Sequence, residues 1–523
     1  MAPGPSCRFG RAVKRPGASR RPSRRVVARA AIIGAGRVPR GGKATRFRAF
    51  RIPPLDRQLC CNGPPQALIN RPAAADPGDR SDVRPYVAPI ENLGARLAGK
   101  PLRVCLLTYR GNPRSGGQGI YVRLLSHELR QLGHEVDVWS GPPYPELADG
   151  VRLVKVPSLD LWDETALFRR PTLRELRDPI NVSEYALTVT GGFPEPLTFS
   201  RRVARKFQRE ALARHYDVVH DNQCLGPGLL AMRPHLPVVA TIHHPVTMDF
   251  RIAMKAAPTR IKRWGLRRWY SFLRVQTAVA RKLDRVLTVS EASARDLQSD
   301  YGIASERLRV VGNGINLDVF HPLPEIERRA DRLITTLSAD SPLKGFPYLL
   351  EALAELRRTR PTLELKVIGS PGLRTQTAKL VDRLGLDGAV HFTGRVEAEE
   401  IARAYAESTV AIVPSLYEGF GFPAGEAMAC EVPVVSTTAG ALPEVVGRDG
   451  TTGVLVEPGS APALARAIGE LLDAPERRRA MGIAARERVL SLFTWRRAAE
   501  RTVESYRELI EARPQTNAQA PAC

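Results

Sequence analysis

The chain has 523 residues, of which 43% are hydrophobic and 25% charged, and its formal net charge is +24. This length and composition are sufficient for two hydrophobic cores and exclude a single small domain. The sequence contains no run of about 18 apolar residues, which argues against a membrane-spanning helix, and its start lacks the apolar core of a secretory signal.

The positive charge is concentrated at the start of the chain. Residues 1–100 contain 21 Lys or Arg and 5 Asp or Glu, and no acid occurs before Asp56. Prolines and glycines run throughout, so we expect residues 1–98 to form a disordered Arg/Pro-rich tail. Three interpretations of it stay open: binding of nucleic acid or anionic membrane, an organellar transit peptide, or translated sequence upstream of the true start, which we favour. Because no aromatic residues are regularly interleaved with the arginines, no nucleic-acid partner is expected.

From Leu102 onwards, predicted strands alternate with predicted helices, as in parallel α/β sheets. Prolines at Phe320–Pro324 separate two series of strands. The sequence therefore predicts an α/β protein with two doubly wound, Rossmann-like domains that face a cleft. We place these domains at residues 99–322 and 323–493, followed by a helix over 494–513 that crosses back to the first domain. The predicted strands are Leu102–Thr108, Glu135–Trp139, Asp217–His220, Pro237–His243, Arg285–Ser290, Arg307–Val311, Leu333–Leu337, Leu363–Gly369, Ala389–Thr393, Thr409–Val413, Pro433–Thr437 and Gly453–Val456.

A glycine cluster follows the first predicted strand. Gly116, Gly117 and Gly119 precede an amphipathic helix predicted over Ile120–Leu132. Such a turn exposes free backbone amides and the positive end of the helix dipole to a phosphate or a sugar oxygen. Taken alone, the segment is equally well explained as a flexible turn. The binding interpretation is favoured because a second glycine-rich turn faces the same predicted cleft.

Two acids frame that second turn. Glu418 and Glu426 lie eight positions apart, between a predicted buried strand and a helix predicted to start at Gly425. Both carboxylates are therefore expected at the carboxyl end of the sheet, where open α/β folds bind ligands. Carboxylates accept hydrogen bonds from paired hydroxyls, and glycines let backbone amides approach an anion. The predicted ligand carries both polyol and phosphate, as a nucleotide sugar does.

A histidine pair ends a predicted strand of the first domain. His243 and His244 precede Pro245 at the edge of the cleft. Proline restricts the backbone of His244, so His243 is the better candidate for a reacting side chain. A purely structural histidine is the alternative.

Lys344 lies near the start of a helix that follows the first strand of the second domain. A lysine there opposes the helix dipole, so we expect an anion to share the site, with a solvated surface lysine as the alternative. No two aspartates are spaced as Asp-x-Asp. We therefore expect no metal or other cofactor, and phosphate neutralisation falls to Lys, Arg and helix termini.

Together these segments resemble glycosyltransferase family 4, which comprises retaining enzymes of the two-domain GT-B architecture. The resemblance extends from about Leu102 to Leu509, and the order and spacing of the motifs make it specific. The motifs are Gly116–Gly119, Val289–Ser293, Val311–Ile315, Lys344–Gly345, Glu418–Glu426 and Gly440–Glu444.

The resemblance implies transfer of a hexosyl group from a nucleoside-diphosphate sugar to a sugar, lipid or other acceptor hydroxyl, with retention of anomeric configuration. His243, Lys344 and Glu418 would be the catalytic residues. Glu426 would hold the ribose, Glu418 the hexose and Lys344 the departing diphosphate, while the leaving phosphate accepts the acceptor proton. The implied donor-binding residues are Gly117, Gly119, Lys344, Gly394, Val396, Glu418, Gly419, Phe420, Gly421, Phe422 and Glu426.

One position departs from the family pattern. Six residues before Lys344, where the family usually has an arginine for the phosphate, this chain has Ser338. The loss of one charge-assisted contact costs roughly 1.5–3 kcal/mol. We expect Arg110 or Arg114 to compensate from the facing domain.

The sequence leaves the acceptor open. Residues 251–285 are basic and include Trp264 and Trp269, with arginines on one predicted helical face and apolar residues on another. This pattern is typical of a helix lying on an anionic bilayer, or of a solvated face over a core stripe. The insertion at Pro157–Glu210 would shape an acceptor pocket or be a packing excursion.

Other functions stay open at this point. An epimerase or a phosphorylase of the same architecture would bind the same donor, and a nucleic-acid-binding protein would act through the basic tail. The order of the motifs favours transfer. Seven cysteines without paired or metal-ligand spacing favour a reducing compartment, so we expect a cytoplasmic protein, peripheral on the inner face of the membrane if the bilayer interpretation holds.

Overall fold

The computed structural model describes residues 99–112, 117–163, 169–337, 341–370 and 376–513. The predicted basic tail, residues 1–98, therefore lies outside the described residues. Two parallel sheets, each with helices on its faces, account for the described chain, which confirms the predicted fold class.

The first sheet has seven described strands in the order β3-β2-β1-β4-β5-β6-β7. Its strands are β1 (Arg103–Thr108), β2 (Glu135–Ser140), β3 (Arg152–Lys155), β4 (Val218–Asn222), β5 (Val238–Ile242), β6 (Arg285–Thr288) and β7 (Leu308–Val310). Its helices are α1 (Gly117–Gln131), α2 (Pro179–Val189), α3 (Glu195–Arg209), α4 (Gly228–Met232), α5 (Val246–Ala256), α6 (Arg260–Trp269), α7 (Leu273–Ala280) and α8 (Glu291–Tyr301).

The second sheet has six described strands in the order β10-β9-β8-β11-β12-β13. Its strands are β8 (Arg332–Leu337), β9 (Glu364–Gly369), β10 (Val390–Phe392), β11 (Val410–Val413), β12 (Val434–Thr437) and β13 (Val454–Val456). Its helices are α9 (Phe346–Leu356), α10 (Gln376–Arg383), α11 (Ala398–Ala406), α12 (Phe422–Ala429), α13 (Leu442–Val446), α14 (Ala461–Leu472) and α15 (Pro475–Leu492), and the described chain continues into α16 (Trp495–Glu511).

All twelve predicted strands are present with ends within two residues of the prediction. They were recognisable because strands of a parallel sheet are buried on both faces and read as continuous apolar runs. β11 and β12, for example, are buried at every position. The strand β3 was missed because it is short, partly exposed and has a basic residue at each end.

Three local predictions were wrong. Helix α1 begins at Gly117 rather than at Ile120, so Gly117 and Gly119 belong to its first turn. Helix α12 begins at Phe422 rather than at Gly425, because Pro423 occupies the first turn, where the fixed φ of proline favours a helix. The basic segment 251–285 is not one helix with a single arginine face. It is divided between α6, a 3-10 turn at Tyr270–Phe272 and α7, and Arg285 begins strand β6.

The last helix packs against the first sheet although it follows the second in the chain. Its buried residues Trp495, Val503 and Tyr506 belong to the same apolar cluster as Val104 of β1, and the ring of Trp495 lies 5.6 Å from that of Tyr121 on α1. Thr494 caps the helix by accepting a hydrogen bond from the amide of Arg497. No helix among the described residues is long and apolar enough to span a bilayer.

Candidate active site

The strand orders of both sheets place one crevice in each half of the molecule. In the first sheet, successive strands are added on one side of β1 as far as β3 and then on its other side, beginning with β4. In the second sheet the strand order changes sides in the same way between β8 and β11. Ligands of doubly wound folds bind outside the carboxyl ends of the strands at such a switch point. The loops that follow β1, β4, β8 and β11 are therefore the first places to look for a site.

In the second sheet, Lys344 and Glu418 bridge the switch point. Lys344 follows β8, Glu418 follows β11, and Nζ of Lys344 donates to Oε1 of Glu418 at 2.7 Å. Ser415 Oγ donates to the same oxygen at 2.9 Å, so Oε2 has no hydrogen-bond partner among the described residues. The anion that was expected beside Lys344 is thus the carboxylate of Glu418, and a ligand would meet the two side chains as one unit.

A glycine next to Lys344 makes this arrangement attainable. Gly345 has a φ of +61°, and a Cβ at that position would lie 1.9 Å from the carbonyl oxygen of Pro414. No residue with a side chain fits without moving β11 and the turn that carries Glu418. The Lys344–Gly345 pair therefore sets the distance between the two loops at the switch point.

In the first sheet, Asn222 and Gln118 bridge the corresponding point. Nδ2 of Asn222 donates to the carbonyl oxygen of Gln118 at 3.2 Å, which orients the amide. Oδ1 of Asn222 therefore accepts from Nε2 of His243 at 2.7 Å, so Nδ1 of His243 is the acceptor nitrogen. Desolvation, with a smaller contribution from neighbouring His244, lowers the pKa of His243 to about 3. The imidazole is neutral at physiological pH.

Contacts between the two halves close the cleft. The carbonyl oxygen of Gly419 accepts hydrogen bonds from Ser290 Oγ at 2.7 Å and Ser293 Oγ at 3.2 Å, at the start of α8. The carboxylate of Glu444 accepts from the first two amides of α8, each at 2.8 Å. A negative group is stabilised there by the free amides and the helix dipole. Gly419 approaches so closely that a Cβ would lie 2.8 Å from the carbonyl oxygen of His243.

The closed cleft encloses a cavity of about 450 Å³. Seven of the predicted site residues line it: Gly117, His243, Glu418, Gly419, Phe420, Gly421 and Phe422. Lys344 reaches its edge through the contact with Glu418. The two glycine-rich turns, predicted from separate halves of the sequence, therefore face the same space.

Four predicted site residues lie apart from this cavity. Gly119 is buried against the loop before α1, where a Cβ would lie 2.3 Å from the carbonyl oxygen of Asn112. Gly394 and Val396 follow β10, and the amide of Gly394 donates to Gly369 at 3.1 Å. Glu426 lies on α12 with its side chain partly exposed. The contacts predicted for them stay predictions: Gly119 with the diphosphate and acceptor, Gly394 and Val396 with the base, and Glu426 with the ribose.

The carboxyl group of Glu426 has no hydrogen-bond partner among the described residues. Desolvation raises the pKa of Glu426 to about 7, with no charged group opposing it. When it is ionised, the carboxylate of Glu426 can accept hydrogen bonds from a ligand, because no described residue donates to its oxygens.

The guanidinium of Arg110 is paired with a carboxylate of its own domain, and its predicted contact with the phosphate stays a prediction. Its guanidinium forms a two-point ion pair with Glu195, at 2.7 and 3.1 Å. Arg114, Ser338 and Gly116 lie outside the described residues. The described residues contain no group of three or more His, Cys, Asp or Glu that could hold a metal ion.

Sequence reasoning missed several residues of the cavity. Gln223 lines the cavity and Asn222 holds His243, and both carry a signal that was available, because polar side chains at the end of a buried strand lie at a sheet edge. Phe193 belongs to the insertion Pro157–Glu210, for which an acceptor pocket was one of two interpretations. Phe272 gave no such signal, since isolated aromatic residues are usually part of a core.

Comparisons with known proteins agree with this geometry. The family described as Glycosyltransferase Family 4 matches residues 115–319, and the family described as Glycosyl transferases group 1 matches residues 324–488. An MMP alpha-(1->4)-mannosyltransferase of Mycolicibacterium hassiacum is 45% identical over 415 residues, which cover 78% of this chain and 98% of the relative.

More distant proteins match about four fifths of the chain. A D-inositol 3-phosphate glycosyltransferase of Kineococcus radiotolerans is 30% identical over 462 residues, covering 80% of this chain and 98% of the relative. The solved structure of sucrose-phosphate synthase from Thermosynechococcus elongatus is 25% identical with a TM-score of 0.60, and the match covers 79% of this chain and 100% of that one.

We expect Glu426→Gln to stabilise the ligand-free protein at pH 8 but not at pH 4. The pKa of Glu426 is raised to about 7 in the folded protein, whereas an unfolded glutamate titrates near pH 4.3. Folding therefore becomes less favourable as the pH rises from about 4.3 to about 7, by an amount on the order of 3 kcal/mol. Thermal unfolding across pH 4–8 measures the difference, and Glu470→Gln on the exposed face of α14 is the control. If Glu426→Gln changed the stability equally at pH 4 and at pH 8, the raised pKa of Glu426 would be contradicted.

Proposed function

The chain belongs to glycosyltransferase family 4 and is a hexosyltransferase, and from this premise we propose that it transfers mannose from a nucleoside-diphosphate sugar to a sugar hydroxyl with retention of configuration. The observation that carries the proposal is the Lys344–Glu418 pair, placed at a switch point and facing Gly117 and His243 across one cavity. An ammonium group, a carboxylate and free amides within one crevice match the phosphate and hydroxyl groups of such a donor.

In the proposed donor complex, different residues contact different parts of the donor. Lys344 neutralises the diphosphate, and its ammonium group can turn from Glu418 to the phosphate because both partners are partly exposed. Oε2 of Glu418 accepts a hexose hydroxyl. The amides of the turn over Gly419–Phe422 contact the sugar and the diphosphate, and the start of α1 at Gly117 closes over them. Glu426 accepts from the ribose hydroxyls, and the backbone at Gly394 and Val396 frames the base.

The transfer step needs no catalytic carboxylate dyad. The acceptor hydroxyl oxygen forms a bond to C1 of the hexose on the face from which the diphosphate leaves, while the bond from C1 to the phosphate oxygen breaks. The proton of the acceptor hydroxyl passes to the departing phosphate oxygen. Lys344 and the amides stabilise the negative charge that develops there, so catalysis rests on positioning and electrostatics. The proposal assigns no role to a metal ion.

His243 positions the sugars rather than carrying a charge. Its neutral imidazole is held by Asn222 through Nε2 and packs edge-on against Tyr121 with ring centroids 4.6 Å apart. Nδ1 is then available to accept one sugar hydroxyl at the reacting centre. The relative that is 45% identical over nearly its full length is named for alpha-(1->4) mannosyl transfer, which supports mannose as the hexose.

The reaction is tested by product analysis with labelled donors. We expect the purified full-length protein, in the presence of EDTA, to release a nucleoside diphosphate from GDP-mannose, UDP-mannose or ADP-mannose and to form an α-mannoside on manno-oligosaccharide acceptors. NMR of the anomeric centre reports retention. A β-mannoside would contradict retention, epimerised free nucleotide sugar would favour the epimerase, and phosphate-dependent cleavage of the glycoside would favour the phosphorylase.

The ribose contact is tested by a variant and a ligand that remove the same interaction. We expect Glu426→Ala to weaken binding of the preferred nucleoside diphosphate roughly 10- to 100-fold, because hydrogen bonds to a charged group contribute about 1.5–3 kcal/mol. The 2′,3′-dideoxy analogue should bind wild type and Glu426→Ala equally. Calorimetry gives both affinities. If the variant weakens the dideoxy analogue as much as the natural ligand, Glu426 does not hold the ribose.

We also propose that the protein binds peripherally to the inner face of the membrane. Helix α6 exposes 82% of Ile261 and 66% of Trp264, and these apolar groups alternate with lysine and arginine and no acid. This is the composition of a helix that lies at an anionic surface. The described cysteines Cys105, Cys224 and Cys430 are free, as a cytoplasmic location requires.

We expect Trp264→Ala to reduce co-sedimentation of the protein with phosphatidylglycerol liposomes. The indole contributes apolar area at the interface, and its loss leaves Ile261 and the electrostatic attraction. Trp269→Ala at the other end of α6, where the ring lines the cavity, is the matched control. Equal binding of wild type to phosphatidylcholine liposomes would exclude recognition of an anionic surface.

A further inference from the structure

The wall of the cavity that belongs to the first domain is aromatic. Tyr109, Phe193, Trp269, Tyr270 and Phe272 line it and are called the aromatic wall below. Phe193 and Trp269 stack with centroids 5.2 Å apart at 27°, and Tyr109 and Phe272 meet Phe193 edge-on at 6.2 and 5.7 Å. The wall combines residues that follow β1, precede α3 and end α6.

Two of these rings are supported from behind and open towards the cleft. Phe193 and Trp269 are partly exposed, although both line an enclosed space. Trp162 packs edge-on against Trp269 with centroids 5.2 Å apart and an angle of 88°, which fixes the plane of the indole. A rigid, partly exposed aromatic face inside a cleft presents a surface for a ligand with an apolar face of its own.

A buried amide oxygen beside the wall lacks a partner. Gln276 on α7 is 3% exposed and lines the cavity. Its Nε2 donates to the carbonyl oxygen of Cys224 at 3.0 Å, which orients the amide, and its Oε1 has no hydrogen-bond partner among the described residues. Asn313 also lines the cavity and is 2% exposed, and its Oδ1 likewise has no hydrogen-bond partner among the described residues. A buried acceptor without a partner costs free energy that a ligand hydroxyl would recover.

The wall offers no cation. Among the described residues that line the cavity there is no lysine and no arginine. The nearby Arg110 is held by Glu195, and Arg268 donates to Ser271 and Thr190. Phosphate and carboxylate groups are bound in proteins chiefly by arginine and lysine side chains, and the described residues of the wall supply neither to compensate the desolvation of a charged acceptor.

We propose that the aromatic wall and Gln276 form the acceptor subsite and that it takes an uncharged saccharide. One face of the pyranose ring packs against the part of the Trp269–Phe193 stack that is exposed to the cavity, and a ring hydroxyl donates to Oε1 of Gln276. The subsite lies across the cavity from Glu418, so the acceptor hydroxyl reaches the hexose held by the second domain. This inference rests on the proposed function and adds to it the chemical class of the acceptor.

Binding is tested first, without turnover. The probes are methyl α-mannoside and mannose 6-phosphate, added separately to the full-length protein saturated with nucleoside diphosphate, with saturation-transfer NMR as the readout. We expect binding of methyl α-mannoside by wild type and loss of roughly tenfold or more in affinity for Trp269→Ala and for Gln276→Leu, equivalent to about 1.4 kcal/mol. Trp264→Ala, on the same helix but outside this cavity, should bind like wild type.

Turnover then separates the subsite from the donor site. Trp269→Ala should raise KM for manno-oligosaccharide roughly tenfold and KM for the donor much less, whereas Trp264→Ala, outside the cavity, should leave both KM values within about twofold of wild type. Trp269→Phe, which keeps an aromatic face, should recover much of the loss and guards against misfolding. Tighter binding of mannose 6-phosphate than of methyl α-mannoside, or an equal rise in donor KM, overturns the inference. Absence of mannosyl transfer by wild type that still binds methyl α-mannoside would instead count against the proposed function, because the binding test does not depend on turnover.

Discussion

Closure of the two halves upon each other is the constraint on which the rest of the site depends. The carbonyl oxygen of Gly419 is held by hydroxyls of Ser290 and Ser293, and the carboxylate of Glu444 caps the helix that carries them. Each neutral hydrogen bond contributes about 0.5–1.5 kcal/mol, and those to the carboxylate more. Because Gly419 lacks a side chain, the turn comes against the backbone of His243. The crevice at the switch point of the first sheet and that of the second therefore open into one shared cavity.

Within that cavity the charges are kept in one half. Lys344 and Glu418 bridge the switch point of the second sheet, whereas the corresponding bridge in the first sheet is made by the neutral Asn222 and the backbone of Gln118. His243 extends this neutral side, because desolvation lowers its pKa to about 3. An ion pair in a partly enclosed site is stabilised by mutual attraction and opposed by desolvation. In the proposed complex a phosphate takes over Lys344, and the carboxylate of Glu418 is left to accept a hexose hydroxyl.

The same division suits a two-substrate transfer. In the proposed reaction, the side chains that neutralise phosphate and accept donor hydroxyls belong to the second domain, and the stacked rings with unpaired amide oxygens belong to the first. Each domain thus presents the chemistry of one substrate, and the reacting centre lies where they meet. The last helix, α16, follows the second domain in the chain and packs against the first. It adds a second connection between the halves besides the chain segment between β7 and β8.

The sequence by itself determined the two parallel sheets, the glycine turns and the acids at the strand ends, because these follow from short-range patterns of apolar runs and turn residues. It also located Lys344, Glu418 and His243 at sheet edges, since parallel strands all end at the same side. Tertiary structure decided which of these residues meet. Lys344 pairs with Glu418 across 74 residues of sequence and Arg110 with Glu195 across 85. The tertiary structure also brings the residues of the aromatic wall together from separate segments of the chain. Such contacts depend on how closely two backbones approach in space, and no local periodicity in the sequence encodes that distance.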